Sequence, residues 1–223
     1  MKRFYESYKK EFNSEPTSIL EIGSRDGDSA EELRELANID SKSVYIVEPH
    51  PLCFKNIMYK YPEVHTYPFA ISDEIRAIDF NAIPHKFGKD TVGTSSLLKK
   101  NKEIYTQLSG LTETVFDQQV NPENWIKILT VTGEILLELI NKSEIDMVKI
   151  DVEGLTYEVL DSFGPSIKKL KMLHVEVEKV EIWKNQNLYE DVKKLLTGYN
   201  FEELYYLPMF WGGNQGDSVW IRR

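Results

Sequence analysis

Short apolar runs alternate along this chain with stretches whose apolar residues recur at helical spacing. Ser18-Ile19-Leu20-Glu21-Ile22, Ser43 to Val47, Met147 to Ile150 and Met172 to Glu178 are runs of strand length. Between them the period changes to that of a helix. Phe4, Tyr5, Tyr8 and Phe12 fall on one face of a leading helix over residues 2–13, which Ser14-Glu15-Pro16 ends. A second helix opens at Asp28, with Glu31 and Glu32 favourable to the dipole of its first turn. Pro49 and Pro51 fit the start of a third, through Tyr59, with Leu52, Phe54 and Ile57 expected to face inward. Further helices are expected over Gly133 to Asn141, after Gly154, and over Asn187 to Leu196. Alternation of strands and helices predicts an α/β domain with a mostly parallel sheet.

Other segments carry weaker patterns. Val64 to Ile71 reads as a third strand with its loop, Ala77 to Ile83 as another bounded by Pro84, and Ile126 to Val131 as a further one. Residues 85–123 form a region that lacks a clear period and suits the substrate side, since long loops at the ligand edge of a sheet often wall a site. Ser95 and Ser96 are candidates to face it. At the end, Phe201 to Leu207 and Ser218 to Arg222 predict an antiparallel hairpin. Its aromatic residues Tyr205, Tyr206, Phe210 and Trp211 suit either packing or a ring-shaped acceptor.

Composition narrows the class. With 223 residues and 41% hydrophobic content the chain can bury one sizeable core, so a single domain over residues 1–223 is expected. A net charge of −9 argues against a broad nucleic-acid footprint. Cys53 is a lone cysteine, so nothing requires an oxidising compartment. No stretch has the apolar length of a membrane span, and MKRFYESYKKEF lacks the apolar core of a signal peptide; a soluble cytoplasmic protein is expected.

The chemistry concentrates at three strand ends. The first is Glu21-Ile22-Gly23-Ser24-Arg25-Asp26-Gly27-Asp28-Ser29, a strand, a glycine turn and a helix start. Parallel sheets bind ligands at such turns. The dinucleotide fingerprint needs a glycine where Arg25 stands, and no phosphate-loop pattern is present. The acid-x-Gly-x-x-x-Gly spacing suits a ligand with an ammonium and no phosphate, such as S-adenosylmethionine, or else a structural turn. Glu48 closes the next strand, where an acid can hold ribose hydroxyls or simply face solvent. Asp73 follows the third strand and suits an adenine amino group or an ordinary Asx turn.

The last stretches are Lys149-Ile150-Asp151-Val152-Glu153-Gly154 and Leu173-His174-Val175-Glu176-Val177-Glu178. Period two puts His174, Glu176 and Glu178 on one face of a strand and Leu173, Val175 and Val177 on the other. Ionisable residues on a central strand require solvent, partners or a site. Asp151, Glu153, His174 and Glu176 are therefore the catalytic candidates. Asp151 and Glu176 are also the candidate ligands for magnesium or manganese, which favour oxygen donors.

Together, the turn at Glu21 to Ser29, Glu48-Pro49, Ala70-Ile71-Ser72-Asp73 and Lys149 to Gly154 resemble the FkbM-type methyltransferases, in order and spacing, over about residues 19–160. The resemblance implies a class I, Rossmann-like methyltransferase fold, with a seven-stranded sheet and helices on both faces. It implies S-adenosylmethionine-dependent O-methylation, often of a sugar or a polyketide-type acceptor; a non-catalytic binding subunit of the same fold is the rival. By resemblance Glu21, Gly23 and Gly27, with Ser24 and Ser29 of the same turn, would hold the methionine part. Glu48 and Pro49 would hold the ribose, and Ser72 and Asp73 would lie by the adenine. Many members of the family have Asn where this chain has Arg25, so contacts of that position do not transfer.

Overall fold

The computed structural model describes residues 1–84, 92–109 and 121–223. Its elements run α1 (Lys2–Phe12), β1 (Ile19–Ile22), α2 (Asp28–Ala37), β2 (Val44–Val47), α3 (Pro51–Lys60), β3 (His65–Tyr67), β4 (Ala70–Ile71) and β5 (Arg76–Asn81). They continue with α4 (Lys102–Ser109), β6 (Trp125–Val131), α5 (Gly133–Ile140), β7 (Ile145–Ile150), α6 (Thr156–Asp161), β8 (Leu170–Glu178), α7 (Tyr189–Gly198), β9 (Phe201–Phe210) and β10 (Gln215–Arg222).

The main sheet has seven strands in the order β3-β2-β1-β7-β8-β10-β9. Strands β3, β2, β1, β7 and β8 run parallel, and β10 is antiparallel to both of its neighbours. The buried strands are as apolar as a doubly covered sheet requires. Period two divides the core between the faces. Leu20, Val47, Val148, Leu173 and Trp220 pack on one side with Leu136, Leu160 and Leu196 of α5, α6 and α7. Ile19, Ile46, Met147, Met172 and Val219 pack on the other with Phe4, Leu33 and Ile57 of α1, α2 and α3. The face predicted for His174, Glu176 and Glu178 is the continuation of this second one, on a strand that lies between β7 and β10.

Three expectations change. The run Val64 to Ile71 is two strands in two sheets: β3 pairs with β2, while β4 pairs with β6 in a separate three-stranded sheet of order β4-β6-β5. Pro68, which has no N–H for a ladder, falls at the break. Helix α3 buries Cys53 and Ile57, a proper i, i+4 pair, and leaves Leu52 50% exposed. The closing hairpin is longer than expected, so Pro208, Met209 and Phe210 belong to β9 and the turn is Trp211–Gly213. Within the 85–123 region, residues 102–109 are helical, whereas 85–91 and 110–120 lie outside the described residues. Among the described residues no helix is long and apolar enough to cross a membrane.

Candidate active site

The carboxyl ends of β1, β2 and β7 meet at the glycine turn. Gly23 has φ +80°, and a Cβ there would stand 1.9 Å from the carbonyl oxygen of Asp151. Glycine is thus required for the ends of β1 and β7 to come together. Glu21, 1% exposed, stands behind the turn. Its Oε2 accepts from Ser24 Oγ (2.8 Å) and from the backbone N–H of Ala30 (3.1 Å) in the first turn of α2. Ser24 Oγ in turn accepts from the N–H of Gly27 (3.0 Å). Gly27, φ +78°, lies against the ring of Tyr61. Glu21 and Gly27 therefore shape the turn, while Gly23, Ser24, Arg25, Asp26 and Ser29 form cavity wall.

Glu48, 5% exposed, accepts the backbone N–H of Arg25 (2.7 Å) on one oxygen and that of His50 (2.7 Å) on the other. Burial raises its pKa to about 7, against those donors. Each oxygen keeps a lone pair for a further donor. Pro49 lines the same cavity. Ser72 and Asp73 stand beyond its wall, which Ala70 and Ile71 supply. The Asp73 side chain, 64% exposed, accepts from Ser72 Oγ and faces Arg76.

The cavity has a volume of about 780 Å³ and is also lined by Lys149, Asp151, Glu153 and Glu176. Carboxylate oxygens of Asp151, Glu153 and Glu176 lie within 4.8 Å of one another. Lys149, paired in register with Glu21 on β1 and His174 on β8, holds the group on one side. Its Nζ is 2.9 Å from Asp151 Oδ2 and 3.4 Å from Glu21 Oε1. Burial alone would raise the pKa of Asp151, but the Lys149 ammonium outweighs it and holds that carboxyl below its usual range. Glu153 goes the other way, to about 8, because burial exceeds the opposing pull of Lys100. Glu176 is raised well above its ordinary value by burial and by Asp151 and Glu153 beside it. Lys100, 4% exposed and set over the Trp183 ring, is lowered to about 8 by burial.

Local backbone fixes this geometry. Glu153 has φ +54° and Gly154 φ +94°, and a Cβ on Gly154 would strike Trp183. Ser96 Oγ donates to the Glu153 carbonyl (2.8 Å), which ties the 92–101 segment to the same corner. Ser95 also lines the cavity.

His174 is not brought into this group. It is one strand repeat below Glu176, 5% exposed, with the Phe4 ring of α1 edge-on at 5.2 Å. Its Nε2 faces Asp217 at 3.6 Å, and burial, with Lys149 nearby, lowers its pKa to about 4. The expectation that His174 joins Asp151 on one acceptor oxygen fails because α1 closes that part of the face. Of the aromatic hairpin residues, Phe210 and Trp211 line the cavity with Met209, whereas Tyr205 packs on α1 and Tyr206 bonds to the carbonyl of Gly213.

The family model described as Methyltransferase FkbM domain matches residues 21–203. The chain belongs to this family. No curated protein matches it by sequence. Among solved structures, a methyltransferase FkbM from Methylobacillus flagellatus KT is similar with a TM-score of 0.53 at 10% identity, over 93% of this chain and 44% of that one. The chain thus spans less than half the length of that relative. The putative tRNA (m1A22) methyltransferase Sp1610 of Streptococcus pneumoniae, solved with S-adenosyl-L-methionine, gives 0.51 at 12% identity over 100% of this chain and 72% of that one. Magnesium protoporphyrin IX methyltransferase of Synechocystis PCC 6803, also with S-adenosylmethionine bound, gives 0.50 at 9% identity over 100% and 77%. These likenesses establish the class I methyltransferase fold of the FkbM chain.

Sequence reasoning missed Lys149 and Lys100 as members of the site. Lys149 alternates with Asp151 along β7, so its face was legible; its pairing with Glu21 is a product of sheet register.

Proposed function

We propose that this FkbM-family chain transfers the methyl group of S-adenosylmethionine to a hydroxyl, expected on a sugar or glycoconjugate. The observation that carries the reading is that the glycine turn, Glu48 and the Asp151–Glu153–Glu176 group open into one cavity of about 780 Å³. The cofactor supplies an electrophilic methyl on a sulfonium; the chain must place an oxygen in line with it and receive that oxygen's proton. Glu48 has acceptor capacity for ribose hydroxyls, and Ile71 and Ala70 offer an apolar wall for the base. Asp151, ionised beside Lys149, is set to orient the acceptor hydroxyl and take its proton, while the oxygen–carbon bond would form at the expense of the methyl carbon–sulfur bond and S-adenosylhomocysteine would leave as the neutral thioether. Phe210 and Trp211 at the rim offer faces for a sugar ring.

The carboxylate group supports a second form of the same reaction. An all-oxygen donor set within 4.8 Å fits magnesium or manganese held by Asp151 and Glu176, with Glu153 as third ligand. Such an ion would lower the pKa of a hydroxyl. Incubation with methyl-labelled cofactor and a panel of sugars, glycoconjugates and polyketide-type alcohols, with and without chelator, tests both forms. O-methyl product that survives chelation supports the side-chain base; loss with EDTA and recovery with magnesium supports the ion. An N-methyl product would overturn the hydroxyl assignment. Cofactor binding without turnover of any acceptor would favour the non-catalytic subunit.

A further inference from the structure

Arg25 stands in the glycine turn with a backbone conformation and a side-chain setting that call for separate explanations. Its backbone has φ +60°, the left-handed region that Asn enters readily and a longer side chain only at some cost. Asn would relieve that strain, so nothing in the turn's own geometry asks for Arg. Its N–H donates to Glu48 (2.7 Å), an interaction any non-proline residue provides. The guanidinium is 43% exposed, lines the cavity, and meets Asp26 Oδ2 at 3.3 Å.

Among the described residues, the other cations of the cavity wall are committed elsewhere. Lys149 lies between Glu21 and Asp151, and Lys100 sits over Trp183 facing Glu153, Glu176 and Glu178. A cofactor with an amino-acid end brings one carboxylate into a cavity lined by Asp26, Glu48, Asp151, Glu153 and Glu176. That carboxylate needs a cation, and Arg25 stands in the turn next to Ser24 and Gly23. Resting on the cofactor reading above, we propose that Arg25 binds the methionine carboxylate of S-adenosylmethionine. The planar fork of guanidinium donors matches a carboxylate in two parallel hydrogen bonds. Asp26 keeps the fork near the wall in the meantime and shares it when the ligand arrives.

A ligand pair tests this. S-adenosylhomocysteine carries the carboxylate; 5′-methylthioadenosine has the same nucleoside and thioether without the amino-acid end. Calorimetry with Arg25→Asn, which keeps the left-handed backbone and removes the charge, should weaken S-adenosylhomocysteine about tenfold or more. It should leave methylthioadenosine within about twofold. Arg25→Lys should recover part of the loss, as a point charge without the fork. A melting temperature of Arg25→Asn at or above the parent's shows that the turn still folds. Equal loss for both ligands, or no loss for either, overturns the assignment. Failure of the unaltered protein to bind either ligand would sink the cofactor reading itself, which is a different outcome.

Discussion

Gly23→Ala is the sharpest test of how the turn is built. The added methyl carbon would be 1.9 Å from the Asp151 carbonyl oxygen and 2.7 Å from its carbon. Both are backbone atoms, so no rotamer change relieves the contact. Ordinary packing distance is about 3.5 Å, so the ends of β1 and β7 would have to separate by more than an ångström. The N–H of Asp151 donates to the carbonyl of Ile22 at 2.9 Å, and that bond would break. A residue with a Cβ at φ +80° adds about 1–2 kcal/mol of left-handed strain, and overpacking adds about 1–3 kcal/mol. The expected loss is therefore roughly 2–5 kcal/mol. For a chain of this size about 2–4 °C of melting temperature goes with each kcal/mol, so a drop on the order of 10 °C is expected. Asp151 would move with its backbone, so turnover should fall more steeply than the folded fraction. Urea unfolding followed by circular dichroism, with single-turnover rates on folded protein, reads both. Parent-like stability and rate in Gly23→Ala would refute the argument that glycine is needed for close approach.

Other expectations follow from the same geometry. Glu48 is raised to about 7 by burial, and ribose hydroxyls favour its ionised form, so affinity for S-adenosylhomocysteine should fall as pH drops from about 8 to 6. In the ligand-free protein this group works the other way: the unfolded chain binds fewer protons between pH 4.5 and 7, so its contribution to stability declines as pH rises through that window; isothermal titration and urea midpoints across pH check the two signs. Asp151→Asn should lower kcat by about 10²–10⁴ with cofactor affinity retained, whereas His174→Ala, under Phe4, should change kcat less than threefold and cost about 1–3 kcal/mol of stability; steady-state rates and thermal melts separate them. Lys149→Met strands Glu21 and Asp151 and should cost about 3–5 kcal/mol, part of which Glu21→Gln in the same chain should restore; a double variant no more stable than Lys149→Met would count against the pairing.

Much of this was legible in the residues because it is local. Period and punctuation placed β1, β2, β7 and β8 and the starts of α2 and α3, and strand ends with acids and glycines marked the cavity. The rest depends on contacts between distant segments. The strand β4 is two residues long, and only pairing with β6 makes it one. The face of β8 was readable, but where α1 stops covering that face was not, so His174 and Glu176 looked equivalent. The positive φ of Arg25 and Glu153 likewise has no signal in the identity of those residues.

What separates the two ends of that face is the way charge is compensated. From Ile19, Met147, Met172 and Val219 it is apolar under α1 and α2; one repeat further it carries Glu21, Lys149 and His174, and one further still Asp151 and Glu176. The middle layer has its own cation, although burial still raises the Glu21 carboxyl against it. Lys149 is shared by two carboxylates, and His174 is kept neutral by burial. The outer layer is left incomplete. Burial raises Glu153 to about 8, against the pull of Lys100, and raises Glu176 well above its ordinary value, and among the described residues Glu176 Oε2 has no hydrogen-bond partner. Buried carboxyls in that condition are costly to the fold, and a ligand that donates to them recovers part of the cost. A hydroxyl donor or a divalent ion meets that need, while an anionic group beside the same carboxyls would deepen it. Phosphorylated or carboxylated acceptors should therefore be turned over more slowly than their neutral counterparts, and competition between a neutral sugar and its phosphate in one assay gives the ratio directly. A phosphate ester that is the better substrate would show that Lys100, and not the carboxyls, sets the charge the acceptor meets.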